Sequence, residues 1–343
     1  MSVSCVALLS GGLDSMLAIR ILQEQGIHIE ALNFQTMFTC CRDDAGQAAR
    51  DLGVRLTVLS AEDDYLDIVR RPQFGYGRGA NPCVDCRIYM FERARKFMDQ
   101  VGAKFIISGE VIGQRPMSQK RNDLDIIARQ AELQDLLLRP LCAQLQHPTL
   151  PERAGWVDRS RLFGFTGRSR KGLIALARQF GFKNIPAPST GCALTEQLFS
   201  NKVYDLIRLD PESQSWDFEL LRYGRHYRLD ATCKVIVGRS AEDNAGIELL
   251  HERAPAGRSA LLLPHGFPGP ATLLIGRVTE STLDAAGAML LRHTRENGPG
   301  EMTVRVVRDG ISSIRPIQNN DAVQAIEPIT ARRQPKPADD LIS

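Results

Sequence analysis

No uninterrupted apolar run in this 343-residue chain reaches membrane-spanning length, so neither a membrane-spanning helix nor a membrane partner is expected. The N-terminus enters a strand-like segment without a basic n-region or an apolar signal core, which sets a cytoplasmic location as the expectation. A strong charge of one sign is also missing. The net charge is +3, so bulk electrostatics do not announce a polyanion. Residues 1–200 hold 25 Lys+Arg against 21 Asp+Glu and the remainder 18 against 19, so any basic contact patch is sought chiefly in the first half. There is no internal repeat. Apolar content of 43% and charged content of 24% are ordinary for a globular protein, and the length suffices for two domains.

What is there begins with a loop. Ser10-Gly11-Gly12-Leu13-Asp14-Ser15 follows the apolar run Val3–Leu9 and precedes Met16–Leu22, whose apolar residues recur at helical spacing. A strand feeding a glycine-rich turn and then a helix aims backbone N–H groups and the positive end of the helix dipole at one point. Such a point binds phosphate. The glycines permit close backbone approach, Ser10 and Ser15 supply hydroxyls, and Asp14 is placed to orient a loop or a magnesium ion. The lysine of a G-x-x-x-x-G-K-[ST] loop is absent, so γ-phosphoryl transfer is not implied. The bland alternative is a glycine-rich turn with no ligand.

Strand-like segments near 3–9, 28–33, 55–59, 104–108 and 135–139 alternate with helix-like ones near 15–25, 42–52, 62–70, 87–101 and 122–132. That rhythm predicts an α/β fold, an open parallel sheet with helices on both faces. Ligands in such sheets sit beyond the carboxyl ends of the strands. Ser10–Ser15, Asn33-Phe34 and Ser108-Gly109-Glu110 all fall at strand ends and should converge on one crevice. Beyond about residue 196 the texture changes. Helices near 197–209, 216–224, 241–251 and 280–296 and strands near 225–237, 258–263, 272–278 and 301–315 predict a smaller α+β domain, mainly antiparallel, over 196–330. Residues 331–343 read as a flexible tail.

Ser-Gly-Gly-x-Asp-Ser resembles the PP-loop of ATP pyrophosphatases, which cleave ATP between its α- and β-phosphates and adenylate a substrate oxygen. Ser108-Gly109-Glu110-Val111-Ile112-Gly113-Gln114, continued by Ser118-Gln119, resembles the G-E-x-x-G-Q-x-x-S-Q-T segment of tRNA 4-thiouridine synthetases. One residue is inserted before Ser118, and Lys120 replaces the usual Thr. Leu138-Arg139-Pro140-Leu141 matches the R-P-L that closes the next strand in the same enzymes. The resemblance runs over roughly residues 3–195 and implies a PP-loop catalytic domain over 1–195, with ATP and Mg2+ as cofactors and tRNA as partner. The RNA-binding region that precedes the loop in those synthetases and their rhodanese-type sulfur relay have no counterpart here, so another element must hold RNA and another group deliver sulfur.

Eight cysteines in a reducing compartment point to metal or redox chemistry rather than to disulfides. Cys83-Val84-Asp85-Cys86 opens a helix-like segment, and Cys192 follows the turn Ser189-Thr190-Gly191. A helix N-terminus favours thiolate, so depressed thiol pKa values are expected at Cys83 and Cys86. Three thiolates leave one iron of a cubane cluster open to hydrosulfide. The pattern resembles the iron–sulfur class of tRNA thiolases, in which Cys83, Cys86 and Cys192 would hold a 4Fe–4S cluster. Zinc, a persulfide with a disulfide cycle, and three unrelated buried cysteines are the alternatives. Cys5, Cys142 and Cys233 read as core, and Cys40-Cys41 as either site-proximal or buried.

Val237-Gly238-Arg239-Ser240, ending in Asn244, resembles the V-G-R-N-x-x-x-N signature of the RNA-binding domain of ribosome quality-control factors, with Ser240 in place of Asn. Arg239 would grip phosphate there, and Arg168, Arg170 and Lys171 form a second candidate phosphate patch. The plain alternatives are a strand-to-helix turn capped by Ser240 and a solvated helix start.

The combined expectation is an ATP-dependent tRNA uridine thiolase. Ser10–Ser15 grip the pyrophosphate, Asn33 and Phe34 border adenine, Gly109, Glu110 and Gln114 face the ribose or target base, and Asp14, Cys83, Cys86 and Cys192 carry the chemistry. Its partners are tRNA and a hydrosulfide or persulfide donor, with a homodimer left open. A PP-loop enzyme adenylating a small molecule and a non-catalytic cluster-containing RNA-binding protein are the competing classes.

Overall fold

Strict alternation in the first strand decides which face of the sheet each helix covers. In β1 (Ser4–Leu8), Cys5 and Ala7 point into one apolar layer, while Val6 and Leu8 point into another. The computed structural model describes residues 3–39, 44–188, 191–295 and 302–337. Cys40, Cys41, Ser189 and Thr190 lie outside the described residues.

The chain divides into two compact units, Met1–Gly77 with Asn81–Ala193 and Arg78–Ala80 with Leu194–Ser343. The first unit carries β1, β2 (His28–Gln35), β3 (Arg55–Ser60), β4 (Phe105–Ile107) and β5 (Leu137–Leu138). They form one parallel sheet in the order β3-β2-β1-β4-β5. Helices α1 (Leu13–Gln23), α2 (Asp44–Leu52) and α7 (Lys171–Gln179) cover the Cys5/Ala7 face, and α4 (Cys83–Val101) and α5 (Arg121–Gln130) the Val6/Leu8 face. The short helices α3 (Tyr65–Arg70) and α6 (Leu150–Arg153) complete the unit. The strand order reverses between β1 and β4, and that reversal opens a crevice at the carboxyl ends of these two strands.

The second unit holds α8 (Gln197–Leu209), α9 (Ser215–Leu220), α10 (Ala241–Glu252), α11 (Glu280–Arg292) and α12 (Asp321–Gln324). Its strands are β6 (Arg225–Arg228), β7 (Cys233–Val237), β8 (Ser259–His265), β9 (Thr272–Gly276), β10 (Thr303–Arg308) and β11 (Ile311–Pro316). They make a six-stranded sheet, β11-β10-β8-β9-β7-β6, antiparallel throughout. One face packs on α11 through Val235, Val237 and Leu262, the other on α9 and α10 through Ile236, Leu273 and Ile275.

Two expectations need correction. The segments 225–237 and 301–315 are two hairpins rather than two single strands, turned at Asp230–Thr232 and at Asp309-Gly310. The coarse helix range near 87–101 extends back to Cys83, where the Cys-x-x-Cys opens it as expected. Residues 331–334 are not a free tail: the Asn201 amide donates to the Arg332 carbonyl at 3.0 Å and the Arg208 guanidinium to Gln334 Oε1 at 3.2 Å. No described helix is long and apolar enough to cross a membrane.

Candidate functional site

Two glycines bring the loop and the second motif together at the sheet's reversal. Gly11 has φ +78°, and a Cβ there would lie 2.4 Å from the Asp44 carbonyl carbon. A Cβ on Gly109 would lie 2.4 Å from the Asp14 carbonyl carbon, so the end of β4 rests directly on the first turn of α1. Within the loop the Ser15 hydroxyl donates to the Gly12 carbonyl at 2.8 Å, and the Gly12 N–H donates to Ser10 Oγ at 3.4 Å. The serines therefore shape the turn from inside.

Burial pushes the Asp14 carboxyl pKa up, opposed by a hydrogen bond from the Gln114 side chain and by the charges of Arg170 and Arg115. Asp14 Oδ1 and Gln114 Oε1 are buried without a hydrogen-bond partner among the described residues. Two orphaned acceptors suit a cation, and Arg115 and Arg170 beside them suit the phosphates it accompanies, so the residues present fit magnesium–nucleotide. The loop carrying Gln114 and Arg115 is templated by buried Gln119. Its Oε1 accepts the Arg115 N–H at 3.1 Å, and its carbonyl accepts the Gly113 N–H at 2.6 Å.

Glu110 is drawn into a buried ion pair through one carboxylate oxygen, while Oε1 has no hydrogen-bond partner among the described residues. It is buried at 2% exposure, with Oε2 accepting from Arg139 Nε at 3.0 Å and from the Ser108 hydroxyl at 3.1 Å. Its Oε1 lies 3.8 Å from Arg87 Nε. The motif's acid and the arginine of Arg139-Pro140-Leu141 are thus the two halves of one buried ion pair that fixes the ends of β4 and β5. The neighbouring Cys142 thiol donates to the Glu110 carbonyl at 3.3 Å, and burial raises its pKa to about 11, as suits a core residue. The Phe34 ring packs edge-on against Tyr89 at 5.6 Å and is buried, because the strand turns it toward α4. Asn33 reaches back to the Leu9 carbonyl at 2.8 Å and ties β2 to the start of the loop.

The cysteines assemble around a phenol. Cys83 and Cys86 lie in the first turns of α4, and the buried Asn81 amide donates to Cys83 Sγ at 3.0 Å. Tyr65, at 3% exposure, hydrogen-bonds the Cys86 thiol, and Cys86, Cys192 and Cys83 all raise its pKa beyond what burial does. Cys192 is held there by the next residue, whose N–H donates to the Phe38 carbonyl at 3.1 Å; the Phe38 ring sits 6.4 Å from that of Tyr65. The expected thiol depression fails at Cys86. Burial raises its pKa and outweighs the Tyr65 hydrogen bond and the Arg87 charge, which lower it. No three His, Cys, Asp or Glu residues among those described converge on a shared metal position.

Arg115 links the two halves of this region. Arg115 is exposed as a residue, but desolvation of its guanidinium against the loop and the adjacent Arg87 lower its pKa, while Asp14, Cys83 and Glu110 raise it. Tyr65, Arg87 and Arg115 escaped the sequence reading. Arg87 directly follows Cys86 and Arg115 follows Gln114, so adjacency to a motif was a usable signal for both; Tyr65 carried none. Arg170 also belongs here. Its guanidinium donates to the Pro186 carbonyl at 2.8 Å and acts on Asp14, because the Gly167 N–H pairs with the Ile112 carbonyl at 2.8 Å and draws the start of α7 to the crevice. Arg168 and Lys171 are exposed beside it.

In the second unit Arg239 is spent. Its Nε and Nη2 donate to the Asp243 carboxylate at 2.6 and 3.1 Å, and Ser240 caps α10 by accepting the Asp243 N–H at 3.2 Å. Asn244 Oδ1 accepts the Ala271 N–H at 3.1 Å, and a Cβ on Gly238 would lie 2.0 Å from that same oxygen. Every motif residue serves the turn.

Residues 3–152 match the family model of the tRNA methyl transferase HUP domain, and residues 224–325 that of the NFACT protein RNA binding domain. A Bifunctional protein NifU/MnmA of Rubrobacter xylanophilus is 28% identical over 134 residues, 34% of this chain and 28% of that protein. A tRNA-specific 2-thiouridylase MnmA of Sulfurimonas denitrificans is 29% identical over 113 residues, 30% of this chain and 33% of that protein. The matched region thus spans about a third of each of these curated relatives. A 4-thiouridine synthetase solved as an RNA complex with bound ATP aligns at a TM-score of 0.36 and 23% identity, covering 52% of this chain and 40% of that one. The first unit is therefore similar to the PP-loop domain of tRNA thiolases and the second to the RNA-binding domain of NFACT proteins, as the two sequence resemblances imply.

Proposed function

We propose that the chain is an ATP-dependent tRNA uridine thiolase of the cytoplasm. The observation that carries this reading is the seat of Gly109 on Asp14, which joins the PP-loop to the second motif, with Arg115 acting at once on Asp14 and on Cys83. Replacing a uracil oxygen by sulfur requires that oxygen to become a leaving group. In the proposed reaction the carbonyl oxygen attacks the α-phosphorus of ATP and pyrophosphate departs. A sulfur nucleophile then attacks the activated carbon and AMP leaves with the oxygen, so the base is substituted without net redox change.

The amides at the start of α1 hold the departing pyrophosphate, and Asp14 and Gln114 supply acceptors for magnesium, which neutralises phosphate charge when bound. Arg115, Arg87 and Arg170 balance the charge that develops on the α-phosphate. The backbone of the Gly109 turn keeps the crevice narrow.

Cys83, Cys86 and Cys192 are the proposed sulfur-handling set. They are three thiols of the kind a 4Fe–4S cluster takes, each of which would ligate a separate iron, and all three lie near the Tyr65 phenol. The alternative route uses a persulfide. A persulfide on one cysteine attacks the adenylated carbon through its outer sulfur, and a partner thiol then attacks the remaining inner sulfur to complete the transfer. A disulfide forms and two electrons must later be returned by a thiol reductant.

The test is tRNA-stimulated pyrophosphate release by the full chain, with mass spectrometry of thiolated nucleosides in the product tRNA. Stimulation by a small metabolite and not by tRNA would replace this proposal with small-molecule adenylation. Iron and acid-labile sulfide in anaerobically purified protein, lost in Cys192→Ala, would restore the cluster; their absence selects the persulfide.

A further inference from the structure

We infer that a cavity in the second unit, roofed by α8 and α9 and floored by β6, β7 and β9, binds a phosphate group on the ammonium of Lys234. The cavity has a volume of about 250 Å³ and its charged lining is Arg228, Lys234 and Arg258 with the carboxylates of Asp210 and Asp217. Lys234 shares a sheet face with Ile236, two residues on, which packs with Trp216, Leu220 and Ile247 in the apolar layer. The slot is thus one where the fold calls for an aliphatic side chain. A lysine stands there instead, at 4% exposure, with no hydrogen-bond partner among the described residues.

Its surroundings do not satisfy it. Arg228 lies directly opposite in the β6–β7 register, a like-charge cross-strand pair whose arginine is balanced by Asp205. The nearby carboxylates are already taken. Asp205 accepts from Arg228 at 2.9 Å, and Asp210 and Asp217 pair with Arg258 at 2.7 and 3.0 Å. Lys202 is the contrast within the same unit: equally enclosed, it donates to the carbonyls of Leu221 at 2.9 Å and Gly224 at 3.3 Å. An enclosed ammonium with free N–H groups is complementary to the acceptor oxygens of a phosphate, and the guanidinium groups beside it are held by their own carboxylates. A terminal phosphate of RNA and free inorganic phosphate offer the same chemistry. This inference does not depend on the reaction proposed for the first unit.

The experiment is acylation of lysines in the full chain, read by peptide mass spectrometry, with Lys202 as internal reference. Inorganic phosphate, a short 5′-phosphorylated RNA and the same RNA dephosphorylated are compared with chloride at constant ionic strength. Saturating phosphate should slow modification of Lys234 relative to Lys202 by about fivefold or more. An unchanged ratio in every arm overturns the proposal. Protection by the phosphorylated RNA and not by its dephosphorylated form assigns the site to an RNA end; protection by inorganic phosphate alone assigns it to the free anion. Thermal unfolding gives a second reading. The increment in Tm produced by phosphate should be smaller in Lys234→Met than in the wild type, and equal increments would sink the site.

Discussion

The protein contains two strand–glycine–helix junctions that look alike in sequence and differ in what they leave unspent. At Gly11-Gly12 the serines are consumed in shaping the turn, while Asp14 Oδ1 and Gln114 Oε1 remain buried without partners. At Gly238-Arg239 the guanidinium, the carboxylate of Asp243, the Ser240 hydroxyl and the Asn244 amide oxygen are all paired inside the junction. A glycine-rich turn before a helix is therefore a scaffold, and it becomes a ligand site where the fold leaves polar atoms facing the crevice without partners.

Four substitutions would break or sharpen that contrast. The largest effect is expected from Asp14→Ala. Pyrophosphate release should fall by about a thousandfold, while stability at pH 7 should hold or rise, since burial disfavours the charged carboxylate. Steady-state kinetics beside denaturant melts would show both. A parallel loss of stability would mean that Asp14 serves the turn, as Asp243 does. Gly109→Ala comes next. A methyl 2.4 Å from the Asp14 carbonyl carbon must push the two motifs apart, costing about 1–3 kcal/mol of stability together with most of the activity. An unaltered melting curve would refute the close seat.

Lys234→Met should stabilise the second unit in phosphate-free buffer at pH 7, by on the order of 2 kcal/mol. The sign follows from burial, which lowers the pKa of Lys234 from 10.5 to about 8. Below about pH 8 the lysine is charged in both states and the folded state bears the full cost. Between about 8 and 10.5 the native state sheds its proton first, so wild-type stability rises with pH and the advantage of methionine fades. Lys202, whose pKa is also held near 8, keeps part of that rise in the variant. Urea melts at pH 7 and 10 would expose the opposite trend, were it present. The smallest effect is expected from Arg239→Ala. The pair is half exposed on the arginine side, so its loss should cost about 1 kcal/mol. RNA affinity measured by filter binding should change little; a large loss would return Arg239 to the role its motif suggested.

The alternating rhythm made the parallel sheet legible in the first unit, because a buried strand and an amphipathic helix differ in period over enough residues to be told apart. Helix α8 was likewise readable to its ends. The hairpins were not. Asp309-Gly310 is a strong turn signal passed over inside a run of β-formers, and the Asp230 carboxylate that accepts the Thr232 and Cys233 N–H groups does its work within three residues. Helix α7 was hidden because a basic cluster at its start masked the apolar spacing of Leu173, Leu176 and Ala177.

By itself the sequence determined the alternation of strands and helices in the first unit, the glycine-rich junction between β1 and α1 and the place of the Cys-x-x-Cys at the start of a helix. These follow from residue type and spacing over short stretches of chain. Only tertiary structure decided that Glu110 closes on Arg139, that Phe34 turns toward Tyr89, that Tyr65 stands among three thiols and that Arg115 reaches both Asp14 and Cys83. Those outcomes depend on which residues, tens of positions apart, share a low-dielectric enclosure. Burial and the first available partner then fix what each polar group is free to do.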